Sequence, residues 1–208
     1  MKANCAVDTG SCFPEDAIVH IPGKGDTLIK DLRSGDQILT MDSETGRLEE
    51  TEFLDWLHIN EDQVMNFLKF ITENGKSLEV SPDHQIFTKE HGSILARDVN
   101  IGQDSLVLAS PDSTGKIYSK IVAISEVEKI GVYAPLTWSG DLVVGGVWVS
   151  NYAHMSSFAV ADGVMWPAKV IRKIPGLGWM IGAKNEDGMM RYAEGWKWFW
   201  DHVVKRFY

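Results

Sequence analysis

From residue 17 to residue 151 the chain alternates apolar and polar side chains in short runs: "AIVHI", "QILTM", "NFLKFIT", "SLEVS", "IYSKIVAISEVEKI" and "DLVVGGVWV". Between them fall "PGKGD", "SETGR", "TENGK", "KEHGS", "PDSTGK" and "WSGD", which are turn-forming clusters. Many short period-two segments separated by Gly, Asn and Asp predict an all-β domain. Within it "IKDLRSGDQIL" (29–39) is echoed 67 residues later by "LARDVNIGQDSLVL" (95–108), so that Asp31 matches Asp98, Leu32 matches Val99 and Gly35 matches Gly102. Each copy reads as an apolar anchor, a tight glycine turn and a strand, and two such halves imply a pseudo-two-fold β-fold.

Past residue 152 the period changes. Ala193, Trp196, Trp200, Val203 and Phe207 are spaced three or four apart, the stripe of an amphipathic helix. A preceding helix is expected to open near Pro167 and to stop at "PGLG" (175–178). The reading is therefore a β domain over 12–151 carrying a helix–loop–helix appendage over 152–208, with residues 1–11 left over in front.

Charge divides the same way. Residues 152–208 hold 8 Lys and Arg against 5 Asp and Glu, net +3, so the other 151 residues hold 12 against 24, net −12, which sums to the −9 of the chain. An acidic body argues against nucleic acid as a partner. The appendage also contains 5 of the 8 Trp and 5 of the 8 Met, a soft, aromatic and basic composition that suits a membrane or lipid surface, or simply packing on the body. "MKANCAVDTGS" has no apolar centre, so no signal peptide is expected in this chain, and no apolar run approaches the ~20 residues of a membrane-spanning helix.

The two cysteines, Cys5 and Cys12, do not form a disulfide framework. Cys12 stands at the mouth of the first strand in "TGSCFPEDAIVHI" (9–21). A thiol attacks as thiolate and needs a base or an electropositive setting. Of the six histidines, His84 in "EVSPDHQIF" is set apart by a hydroxyl, Ser81, three residues before it at a strand end. That spacing fits a hydrogen-bonded loop histidine as well as a catalytic one. A papain-like protease would need glycine-rich sequence around the thiol, and a metal site would need clustered ligands; the histidines are scattered, so no metal and no cofactor are expected. A third reading has Cys12 attack the peptide bond in front of it, between Ser11 and Cys12, which explains a nucleophile placed at the start of a fold.

"CFPEDAIVHI", "IKDLRSGDQIL", "EVSPDHQIF", "GVYAPLTWSGDLVVGGVWVSNYA" and the 95–108 echo together resemble the C-terminal autoprocessing domain of hedgehog proteins, a branch of the hedgehog/intein (Hint) fold. The resemblance runs from Cys12 to about Ala153; beyond it the appendage matches the family's sterol-recognition region in character only. It implies that Cys12 attacks the Ser11 carbonyl by an N-to-S shift. It further implies that His84 protonates the departing Cys12 nitrogen and that Ser81, where the family usually has threonine, bonds the scissile amide. A sterol hydroxyl, typically of cholesterol, then takes the upstream segment as an ester, and the whole is a single-turnover precursor event of the secretory pathway, in the endoplasmic reticulum. The partners implied are a sterol, a membrane surface at the appendage, and a covalently attached upstream signalling segment.

Three departures from the family pattern stand out. Ser11 replaces glycine, and Asn151 stands where a cysteine often precedes "YA". The aspartate that activates the sterol aligns within "FLDWLHIN" at His58, with Asp55 three residues earlier as the competing position. A neutral imidazole can serve as that base. Self-cleavage with water as acceptor and a catalytically silent module remain as alternatives.

Overall fold

The computed structural model describes residues 12–109, 115–154 and 157–177, and further along positions 184, 188–192, 195 and 198. Among them the backbone is strand: β1 (Ile18–Ile21), β2 (Gly25–Leu28), β3 (Gln37–Met41), β4 (Leu48–Thr72), β5 (Ser77–Val80), β6 (His84–Thr88), β7 (Gly92–Leu95), β8 (Ser105–Leu108), β9 (Ile117–Thr137), β10 (Asp141–Val144) and β11 (Val147–Ala153). One helix, α1 (Phe158–Lys173), follows. The strands join in the order β2-β1-β10-β11-β6-β8-β9-β4-β3, with β5 on β4 and β7 on β6, and every pairing is antiparallel. The all-β expectation holds.

The sequence echo is a structural repeat. In the first half Ile18 faces Leu28 and Ile21 faces Gly25; in the second Gln85 faces Leu95 and Thr88 faces Gly92, each pair 67 positions on. A 3-10 turn follows each hairpin, at Ile29–Asp31 and at Ala96–Asp98. Next comes a glycine with positive φ, Gly35 at 97° and Gly102 at 74°, a conformation that a side chain resists. The N–H of Gly35 donates to Phe53 O and that of Gly102 to Ile121 O, both at 2.8 Å. An aspartate closes each turn on a backbone N–H, Asp36 on Arg33 and Asp104 on Asn100, both at 2.7 Å. The second turn is longer by one residue, so the spacing of 67 becomes 68 beyond it.

β4 and β9 are long because they serve both halves, and several register shifts let them bend. One side of the sheet encloses a core of Phe13, Phe53, Trp56, Phe70, Ile86 and Leu106 with their neighbours. A second apolar cluster joins Leu54, Leu57, Phe67, Val132 and Tyr152 to Ala161, Met165 and Ala168 of α1. Cys12 belongs to this second cluster, which places the helix on the thiol's side of the sheet.

Helix α1 opens at Phe158, not near Pro167, which lies in its interior. Proline there leaves the Gly163 carbonyl without its usual donor. Two things let the helix run through: the open space beside Gly163, and a face bound to the sheet. The buried ammonium of Lys169 donates to Trp138 O at 2.9 Å and pairs with Asp162, whose Oδ1 also accepts from Tyr152 at 2.7 Å. Gly140 must be glycine at this joint, since a Cβ would lie 2.1 Å from Asp162 Oδ1. Arg172 and Lys173 add pairs to Asp55 and Glu52 of β4. The helix ends at Ile174, before Pro175 and Gly176, as the "PGLG" motif predicts. Of the expected helix over 193–207, positions 195 and 198 are described and are helical; the rest lies outside the described residues.

Candidate active site around Cys12

Cys12 and Phe13 lie just ahead of β1. Phe13 exchanges two backbone bonds with Tyr133 of β9, at 2.8 and 3.0 Å, and Cys12 exchanges two with Ser81. In the second exchange the Cys12 N–H donates to Ser81 Oγ at 3.1 Å, and the Ser81 N–H donates to Cys12 O at 3.0 Å. The amide nitrogen that precedes the thiol carbon therefore rests on the hydroxyl singled out in "SPDH". Neither Cys12 nor Ser81 is exposed.

His84 opens β6, and its N–H closes the Ser81–His84 turn on Ser81 O at 3.0 Å. The ring is fully buried. Nε2 lies 2.9 Å from Ser150 O, and since a carbonyl only accepts, Nε2 carries the proton. Phe13 packs edge-on against the imidazole, centroids 4.5 Å apart. Burial pushes the pKa of His84 from 6.5 down to about 3, against the pull of backbone hydrogen bonds to Ser150 and Cys12. His84 is accordingly neutral at physiological pH, able to take a proton and hand it on, rather than a standing acid.

His58 reaches the thiol from the opposite strand pair. It lies on β4 across from Ala134 of β9, buried, with Nδ1 3.7 Å from Cys12 Sγ. Asp55, the competing position, is engaged elsewhere: Oδ2 meets Arg172 at 3.2 Å and Oδ1 accepts from the Trp56 N–H at 2.8 Å. The structure thus gathers Cys12, Ser81, His84 and His58 at one place. Ser11, on the far side of the expected scissile bond, lies outside the described residues. Asn151 is buried and donates to Thr137 Oγ1 at 2.8 Å. Asp83, beside His84, is half-buried and ion-paired with Arg97.

Comparison with known proteins places this arrangement. The Hint module family model matches residues 2–203. The chain belongs to the Hint family. This Hint module is 32% identical to Warthog protein 1 of Caenorhabditis elegans over 67% of its own length and 29% of that protein. It is 30% identical to the Indian hedgehog protein of Xenopus laevis over 81% and 42%, and 25% identical to the Sonic hedgehog protein of Danio rerio over 93% and 48%. It spans less than half the length of each. Among solved structures, a DnaB intein from Synechocystis superposes with TM-score 0.58 at 17% identity, covering 70% of this chain and 99% of that one. A bacterial intein-like domain from Clostridium thermocellum gives 0.55 at 17% over 67% and 97%. These likenesses to solved structures are of fold.

Sequence reading missed Ser150 and Phe13 as the groups that hold His84. Ser150 acts through its carbonyl, which leaves no mark in residue type. It also missed Gly188–Met190, whose backbone meets β4 on either side of His58.

Proposed function

We propose that this Hint module cleaves the bond between Ser11 and Cys12 through a thioester and passes the upstream segment to a sterol alcohol, cholesterol or a close relative. The observation that carries the reading is the Cys12 Sγ to His58 Nδ1 distance of 3.7 Å, with the Cys12 nitrogen held on Ser81 Oγ on the other side. In the first step the thiol sulfur bonds to the Ser11 carbonyl carbon, the C–N bond to Cys12 breaks, and the thiol proton ends on the freed amine. His84, neutral at physiological pH, relays that proton, and Ser81 Oγ accepts from the Cys12 N–H. No water is consumed.

In the second step the alcohol oxygen bonds to the thioester carbon, and the C–S bond breaks. His58 takes the hydroxyl proton and returns it to the departing sulfur, which the 3.7 Å contact makes a short transfer. Splitting amide cleavage in this way replaces one hard step by two easier ones. An apolar alcohol suits the surroundings better than water does, because the thiol is fully buried in a cluster with Leu57, Phe67, Met165 and Met190.

The outer face of α1 supports a membrane as the source of that alcohol. Val160 and Trp166 of α1 are 48% and 58% exposed, away from the face buried on the sheet, and Ile174 and Leu177 just past its end are 42% and 38% exposed. The hedgehog relatives favour a precursor that travels the secretory pathway. The test is the mass of the fragment released from a reporter fused ahead of Ser11. With cholesterol the fragment should carry the sterol's mass less water, and with a small thiol it should be the thioester of that thiol. Release of the free acid at the same rate with and without cholesterol would instead make water the acceptor. No release under any nucleophile would leave a silent binding module.

A further inference from the structure

Strand β4 carries β3 along residues 48–52 and β5 along 68–71. Between these stretches its edge receives a partner from the appendage. His58 and Met189 form an antiparallel bridge, in which the Ile59 N–H donates to Gly188 O at 3.1 Å and the Met190 N–H donates to Leu57 O at 2.7 Å. The two bonds flank the 58/189 pair rather than joining it. Such a non-hydrogen-bonded pair has its Cα atoms about 4.5 Å apart and its side chains on one face in close contact. Met189 therefore stands on the same face as the imidazole that meets Cys12 Sγ.

Two neighbours enforce this placement. Gly188 has φ +82°, and a Cβ there would lie 1.8 Å from Ile59 O, so the appendage can approach β4 this closely only with glycine. Met190 is fully buried in the cluster that holds Cys12, Leu57 and Phe67. Met189 itself stays half-buried. The bonds described for the cleavage group run elsewhere: Cys12 to Ser81, and His84 to Ser150.

We infer that Met189 is a specificity-determining residue for the acceptor. Its side chain is the apolar wall along which an apolar alcohol lies with its hydroxyl toward His58, and Gly188 is the positioning residue that lets the wall reach the site. The inference rests on the alcohol-transfer reading above. Methionine suits the role: it is unbranched, polarisable and adaptable to a flat apolar surface.

The experiment uses the full chain with a reporter ahead of Ser11 and cholesterol in detergent micelles as probe. Cholesterol-dependent release is divided by dithiothreitol-induced release from the same protein. Met189→Gln, equal in length but polar, should raise the apparent KM for cholesterol by roughly 10–100-fold, the range for a lost apolar contact in a pocket. Met189→Leu should restore it. Gly188→Val should lower the release ratio by a similar factor. An unchanged KM in Met189→Gln overturns the assignment whatever Gly188→Val does. Wild-type protein that forms the thioester but never transfers to cholesterol overturns the alcohol-transfer reading, and this inference with it.

Discussion

Cys12 and His58 are 46 residues apart in sequence, and the β4–β9 pairing brings their sulfur and Nδ1 within 3.7 Å. A thiol that touches an imidazole and also presents its own amide to a hydroxyl is set up for two successive proton transfers. Most of what can be tested follows from separating them.

His58→Ala should abolish transfer to sterol and slow thiol-induced release by a smaller factor, because the ring faces the sulfur but the first-step proton relay lies with His84. Positioned proton transfer is worth ~10²–10⁴-fold. His58→Asp should recover transfer. The check is a gel of reporter release with cholesterol and, separately, with dithiothreitol. Transfer that survives His58→Ala but disappears in Asp55→Ala would reassign the base.

Ser81→Ala removes the acceptor of the Cys12 N–H and leaves that buried donor unpaired. The cost of such an orphan is about 1–3 kcal/mol. Thiol-induced release should slow by up to about a hundredfold, and Ser81→Thr should return it close to the parent rate. His84→Ala should reduce it further than Ser81→Ala does. Thiol-induced release unchanged in His84→Ala would take that residue out of the first step.

His84 makes the fold sensitive to acid. Its folded pKa of about 3 lies below the ordinary 6.5, so between those values the unfolded chain binds a proton that the folded chain refuses. Stability from this group is intact above about pH 6.5 and falls as pH drops, by up to ~1.4 kcal/mol per pH unit. Urea unfolding between about pH 6 and pH 4 should show this slope, and His84→Gln should flatten it. A slope that persists unchanged in His84→Gln would mean that other groups set the acid limit.

Lys169 is the buried cation that fastens α1 to the sheet, its pKa lowered by burial and held up by Asp162. Lys169→Met removes the donor to Trp138 O and leaves Asp162 only its bond from Tyr152, and should cost about 2–4 kcal/mol, read as a lower thermal midpoint. Pairing it with Asp162→Asn should recover part of the loss. Because α1 shares a cluster with Cys12, the same variants should make the thiol react faster with an added maleimide. Unchanged thermal midpoint and maleimide rate would show that the Lys169 clamp does not hold the helix down.

Much was legible from residue types alone. Period-two alternation, glycine-bearing turns and the 67-residue echo define the β-fold, because strand faces and positive-φ turns impose direct demands on side chains. Cys12, Ser81 and His84 were legible too: each lies in a short segment whose neighbours set its geometry, the Ser81–His84 turn above all.

Tertiary structure brings His58, and not Asp55, to the thiol. Strict alternation would put Leu54, Trp56 and His58 on one face, but register shifts at Phe53/Asp55 and Trp56/His58 each add a residue to β4. Trp56 turns into the main core, while Leu54 and Leu57 join the cluster of Cys12. A bulge is a property of two strands pairing at unequal length, so one strand's sequence does not reveal it. The same holds for Met189: its place beside His58 comes from a backbone bridge across 131 residues, permitted by a glycine whose need appears only once Ile59 O is known to stand in the way.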